Sequence, residues 1–144
     1  MDKAYLQGII TTNMQVLAVS DAAATHLGTT SLQNAATNSV ADAGSRISMA
    51  RRWLKSKFCL DVTACPPSLG PGFDICQVIC GSPVSGAAFD QAFRNQLVQF
   101  YTDEIAISQV VLERGCDSQV KAAAARIIKE DQERIARLLR CRIC

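Results

Sequence analysis

The sequence predicts an all-α protein: a ferritin-like four-helix bundle of two repeated helical hairpins, in a single domain over residues 1–144. Two observations predict it. Residues 2–54 align without a gap on residues 90–142, so that Asp2, Ala4 and Tyr5 fall on Asp90, Ala92 and Phe93. Farther along, Leu17-Ala18-Val19-Ser20 falls on Ile105-Ala106-Ile107-Ser108, and Arg46-Ile47 on Arg134-Ile135. Within each copy the apolar residues recur at helical spacing. A repeat fixes architecture early, because each unit buries its apolar face on its neighbour.

The first helix is expected over about 3–27, where Tyr5, Ile9, Val16, Val19 and Ala23 form one row and Leu6, Ile10, Leu17 and Ala24 the next. Gly28 is its stop, and Thr29, Thr30 or Ser31 caps the second helix, over about 31–55. Leu32, Ala36, Val40, Ala43, Ile47, Ala50 and Leu54 carry that stripe. A third helix over about 89–115 follows from Phe93, Leu97, Phe100, Ile107 and Val111, ending at Gly115. Asp117-Ser118 caps a fourth over about 118–141, striped by Val120, Ala124, Ile127, Ile128, Ile135 and Leu138. Short turns force antiparallel neighbours within each hairpin. The connector, 55–89, is rich in Pro, Gly, Ser and Cys. It either stays at one end of the bundle or returns along it, which would set helices 2 and 3 parallel as in ferritin-like folds. Spacing leaves both open.

The apolar fraction of 49% and charged fraction of 19% suit a closely packed bundle. No run reaches the ~20 apolar residues of a membrane span. A net charge of +2 argues for no nucleic-acid partner. Arg51, Arg52, Lys55 and Lys57, and Arg137, Arg140 and Arg142, gather at the ends of helices 2 and 4, where they complement helix dipoles; an anionic-partner patch is the other reading.

Seven cysteines bear on compartment. Cys59, Cys65, Cys76 and Cys80 sit in the connector, and Cys141 and Cys144 at the end of helix 4. If helices 2 and 4 end at one pole, these six are neighbours and form three disulfides. Cys116 then lies at the opposite pole, either free or bridging two copies of the chain. Such pairing implies an oxidising, secreted or periplasmic location, with Met1-Asp2-Lys3 opening a mature form. Zinc at Cys76/Cys80 and Cys141/Cys144 would leave two cysteines over. A redox pair at Cys141/Cys144 lacks strand–helix context, and Arg142 rules out a prenylation box.

The stretch Phe89-Asp90-Gln91-Ala92-Phe93, with Leu97-Val98, Ile105-Ala106, Val120, Ala124, Ile127-Ile128 and Ile135, resembles a family of duplicated, exported ferritin-like bundles, some of which bind copper. The resemblance implies the bundle fold and a metal-related role. That family carries a Met-Ile-Pro-His-His element on odd helices and an Ile-Ile…Gln…Glu-Ile element on even ones. Here the His pair is replaced by Thr12-Asn13 and Phe100-Tyr101, and the Gln and Glu by Asp131 and Arg134. The ligands that would bind copper or iron are therefore missing.

One polar constellation falls in the apolar rows. Tyr101, Glu104 and Asp131 should lie near one level across the second hairpin, as a binding or acid–base site; otherwise they point outward at the stripe's border. Met14 and Met49 read as core filling and His26 as a surface residue, while Trp53 and Phe58 anchor the connector. No Gly-rich phosphate loop and no Ser-His-Asp set is present, so no catalytic residues are assigned. The expectation is a non-enzymatic, disulfide-stabilised secreted bundle without cofactor, acting by binding a protein partner or a second copy. The alternative is a copper- or iron-binding bundle with replaced ligands.

Overall fold

The computed structural model describes residues 1–62 and 85–143. It contains α1 (Asp2–Ala23), α2 (Thr30–Phe58), α3 (Ala87–Arg114) and α4 (Ser118–Arg140). These are the four expected helices. α1 stops before Gly28 because a turn over 24–27 intervenes, in which His26 and Leu27 donate to the Ala23 carbonyl. α2 runs on to Phe58 and is closed by Cys59 in the left-handed conformation at φ 52°, with Leu60 N–H donating to the Leu54 carbonyl. Asp117 caps α4 as expected, accepting from the backbone of Gln119 and Val120.

The topology is the crossover one. Asp90, in the first turn of α3, accepts from Gly28 N at 3.1 Å and Thr29 N at 2.8 Å, so α3 starts beside the α1–α2 turn. Asp2, in the first turn of α1, accepts from Cys116 N at 3.0 Å and Asp117 N at 3.3 Å, so the α3–α4 turn lies beside the start of α1. Lys57, near the end of α2, reaches Asp117 at the same pole. Thus α2 and α3 run parallel, and the chain between them travels the length of the bundle.

That direction corrects the placement of the cysteines. α2 ends at the Asp2 pole and α4 at the Asp90 pole, so Cys59 and Cys141 are separated by the bundle's length. The ~1.5 Å rise per residue puts that at about 40 Å. Cys59 instead shares its pole with Cys116. Both are free and exposed, and Cys141 is free and half-buried, its thiol turned to the Arg137 carbonyl. The expected pairing of Cys59 and Cys141 within one cluster does not hold. Cys65, Cys76, Cys80 and Cys144 lie outside the described residues.

α1 packs on α2, α3 on α4, and α1 on α3. At the α1–α3 crossing Gly8 leaves no spare room: a Cβ there would meet Ile107 Cδ1 at 3.3 Å. α2 and α4 stand apart, bridged near midlength by Arg46–Glu130 at 3.0 Å and Arg134–Asp42 at 2.6 Å. These two bridges join repeat-equivalent residues, since 46 and 42 fall on 134 and 130. Together with the Asp2 and Asp90 contacts they show an internal two-fold relation between the hairpins.

The core is divided. One apolar cluster, with Val19, Leu27, Leu32, Phe93 and Leu97, fills the Asp90 half. Another, with Leu6, Ile9, Leu54, Val111 and Ile127, fills the Asp2 half. A buried polar layer lies between them. No helix among the described residues is long and apolar enough to cross a membrane.

Candidate functional site

The polar layer contains all three residues singled out from sequence. Tyr101 and Glu104 on α3 and Asp131 on α4 are buried, Glu104 and Asp131 with 0% exposure. They do not point outward at the stripe's border. A buried ionised carboxylate is costly without partners, and the partners come from the other hairpin. Arg46 of α2, 6% exposed, donates through Nη1 to Glu104 Oε2 at 3.0 Å and through Nη2 to Asp131 Oδ1 at 2.8 Å. Asn13 of α1 donates to Glu104 Oε1 at 2.7 Å and to the Ile9 carbonyl at 2.9 Å. Arg134 donates to Asp131 Oδ1 at 2.8 Å and lies 5.7 Å from the Tyr101 ring centre. Tyr101 and Ser39 share a hydroxyl hydrogen bond of 2.6 Å.

The electrostatics follow from burial. Glu104 is raised to about 7, first by loss of solvent, against the pull of Arg46, with Asp131 adding repulsion. Asp131 is also raised by burial, opposed by Arg46 and Arg134. Burial disfavours the Arg46 charge, but Glu104 and Asp131 more than compensate and its pKa is raised. Tyr101 is raised by burial as well. Tyr5, hydrogen-bonded to Ser108 at 3.1 Å, is pushed up to about 12 by the same cause.

This arrangement closes the layer to a cation. Both Glu104 oxygens accept hydrogen bonds, and two guanidinium groups occupy the space around Asp131. Asp131 Oδ2 alone has no partner among the described residues. Nor does any group of three or more His, Cys, Asp or Glu among the described residues suit a metal ion. The layer is a charged clamp between hairpins, built by four helices.

Sequence reasoning found the acidic half of the clamp and missed the basic half. Arg46 and Arg134 stood in plain view as an identical pair in the repeat. Their signal was position: Arg46 follows Ala43 by three residues on the buried face of α2, alongside Ile47 and Ala50. The symmetry also accounts for the imbalance. Glu104 falls on Val16 and Asp131 on Ala43, so the fully buried carboxylates belong to the second hairpin alone.

No protein-family model and no curated sequence matches the chain. Its fold is matched by solved structures of a protein called CopM. The chain aligns with CopM in the Cu(II)-bound form at a TM-score of 0.80 and 15% identity, over 96% of this chain and 93% of that one. With CopM in the Cu(I)-bound form the TM-score is 0.78 at 14% identity, over the same shares. At that identity the likeness establishes the fold: this chain is a four-helix bundle of the CopM shape.

Proposed function

We propose that this chain is a non-catalytic copper-binding bundle that takes the metal through cysteine thiolates, not through its core. The observation that supports this most is the likeness, over nearly the whole chain, to a bundle solved with copper in both oxidation states. Fold likeness suggests the class of ligand; the donors must come from this chain. The midplane offers none, since arginines hold its carboxylates. The soft donors left are thiols, which favour Cu(I). Cys59 and Cys116 are exposed at one pole and are the natural first donors. Copper bound there is cargo, and the helices serve as its scaffold.

The test is an anaerobic titration of the reduced full chain with Cu(I) against a chromogenic chelator. We expect copper to be retained by the native chain, lost after thiol alkylation, and unaffected by Glu104→Gln. No retention against the chelator overturns the proposal. Retention that survives alkylation but fails in Glu104→Gln would move the site to the midplane.

A second reading, a secreted bundle working by self-assembly, draws on the exposure of Cys116. Intact mass with and without reductant decides it: a reducible dimer lost in Cys116→Ser supports it, and a monomer in both conditions removes it.

A further inference from the structure

The separation of α2 from α4 leaves a groove on the face opposite the α1–α3 contact. The bridges Arg46–Glu130 and Arg134–Asp42 cross it near midlength. On the Asp2 side of the bridges lies a cavity of about 590 Å³, within the range that holds small organic ligands. Its walls differ in chemistry. Met49 and the half-buried Trp53 give it an apolar surface on α2, and Ala122 and Ala123 a low wall on α4.

Its charge is unbalanced. Four arginines line the cavity against two carboxylates, Asp42 and Glu130. Arg46 and Arg134 are held by the bridges and the buried layer. Arg52, on the α2 wall, has no charged partner among the described residues. Arg126, on the α4 wall, reaches across the groove and finds only Met49 Sδ at 3.7 Å, with Glu130 also at 3.7 Å along its own helix. A guanidinium offered to a thioether gains little compared with an oxyanion, for which its planar fork is suited. Lys57 lies 5.9 Å from the Trp53 ring centre and adds positive potential at the same end.

We propose that this half of the groove binds a flat organic anion, an aromatic ring bearing a sulfonate, carboxylate or phosphate group. The acidic group lies between Arg52 and Arg126, and the ring lies against Trp53 and Met49. Aromatic and thioether side chains both make favourable contacts with such a ring. The site is separate from the thiols proposed to carry copper and does not depend on them.

Trp53 is the chain's single tryptophan, so its fluorescence reports on this cavity alone. The experiment titrates the full chain with 2-naphthalenesulfonate, followed by calorimetry and by Trp53 emission. One saturable site is expected, with a matching change in emission. The neutral analogue 2-naphthalenemethanol and the variant Arg52→Gln/Arg126→Gln should each bind weaker by on the order of tenfold, the loss of one charge-assisted contact. Both replaced residues are exposed, and an unchanged circular-dichroism melt confirms that the variant folds. Arg137→Gln, in the other half of the groove, should leave binding unaltered. Absence of a saturable signal overturns the proposal. So does equal affinity for the neutral analogue, or undiminished binding by the double variant.

Discussion

Arg46 and Arg134, repeat-equivalent residues on different hairpins, donate to the same carboxylate oxygen, Asp131 Oδ1, at 2.8 Å each. Neither hairpin alone supplies this arrangement. Arg46 comes from the first, Asp131 and Arg134 from the second, and Glu104 completes it from α3. The charged layer therefore forms only when the hairpins dock in one register. A buried ionic group of this kind specifies registry more than it adds stability.

The first prediction concerns that layer. Arg46→Met should cost about 3–5 kcal/mol, because Glu104 loses its only cation and Asp131 loses one of two, both in the interior. Restoring the first hairpin's own residues at the equivalent positions, Glu104→Val and Asp131→Ala on the Arg46→Met background, should recover most of the loss. Urea unfolding of the three proteins measures both steps. A single variant within about 1 kcal/mol of the parent would show that the layer does not hold the hairpins together.

The second concerns pH. The folded pKa of Glu104, about 7, stands above its ordinary 4.5, so the folded state binds this proton more tightly than the unfolded chain. Its contribution to stability is fully present below about pH 4.5 and is lost as pH rises through about 7. Asp131, raised as well, acts with the same sign. Glu104→Gln removes the Glu104 part. Between pH 4.5 and 8 the variant should gain stability relative to the parent by on the order of 3 kcal/mol. A difference that stays flat over this interval would mean that Glu104 is ionised throughout.

The helices were legible because their apolar rows repeat twice, and each copy corroborates the other. The acidic residues were legible because Glu104 and Asp131 interrupt those rows. The path of the connector was not, since local periodicity is identical for a chain that stays at one pole and one that climbs the bundle. Two carboxylates decide it, Asp2 and Asp90, each accepting from the turn of the other hairpin. Both were visible as an aligned pair, but which turn each would meet depends on docking. The cysteine arrangement failed for the same reason: Cys59 and Cys141 were made neighbours by a topology that the structure does not adopt.

Those two carboxylates support a third prediction, in which equivalent residues respond differently. Asp90 uses one oxygen for Gly28 N and the other for Thr29 N. Asn there turns an amide NH₂ toward a backbone N–H, and Asp90→Asn should cost about 1–3 kcal/mol. Asp2 receives both Cys116 N and Asp117 N on Oδ2, and its buried Oδ1 has no partner among the described residues. Asn can keep the accepting oxygen in place, so Asp2→Asn should cost less than about 1 kcal/mol. Thermal unfolding of the two variants checks the ordering, and equal losses would contradict it.

The last prediction uses the two-fold relation to repair a buried defect. Ser20 and Ser108 are repeat-equivalent, as are Tyr5 and Phe93. Tyr5 and Ser108 share a hydroxyl hydrogen bond at 3.1 Å between α1 and α3. The symmetric bond would join Phe93 to Ser20, but Phe93 has no hydroxyl, and Ser20 Oγ is buried with no partner among the described residues. An unpaired buried hydroxyl costs about 1–3 kcal/mol. Phe93→Tyr supplies the missing group where the symmetry already accommodates one, and should raise stability by about 1 kcal/mol. Tyr5→Phe should lower it by about the same or more, because it strands Ser108 as Ser20 is stranded now. Adding Ser108→Ala to Tyr5→Phe should return most of that loss, since removing both polar partners leaves no unsatisfied group. Denaturant unfolding of the four proteins tests the scheme. A Phe93→Tyr variant destabilised by more than about 1 kcal/mol would show that the space beside Ser20 does not mirror that beside Ser108.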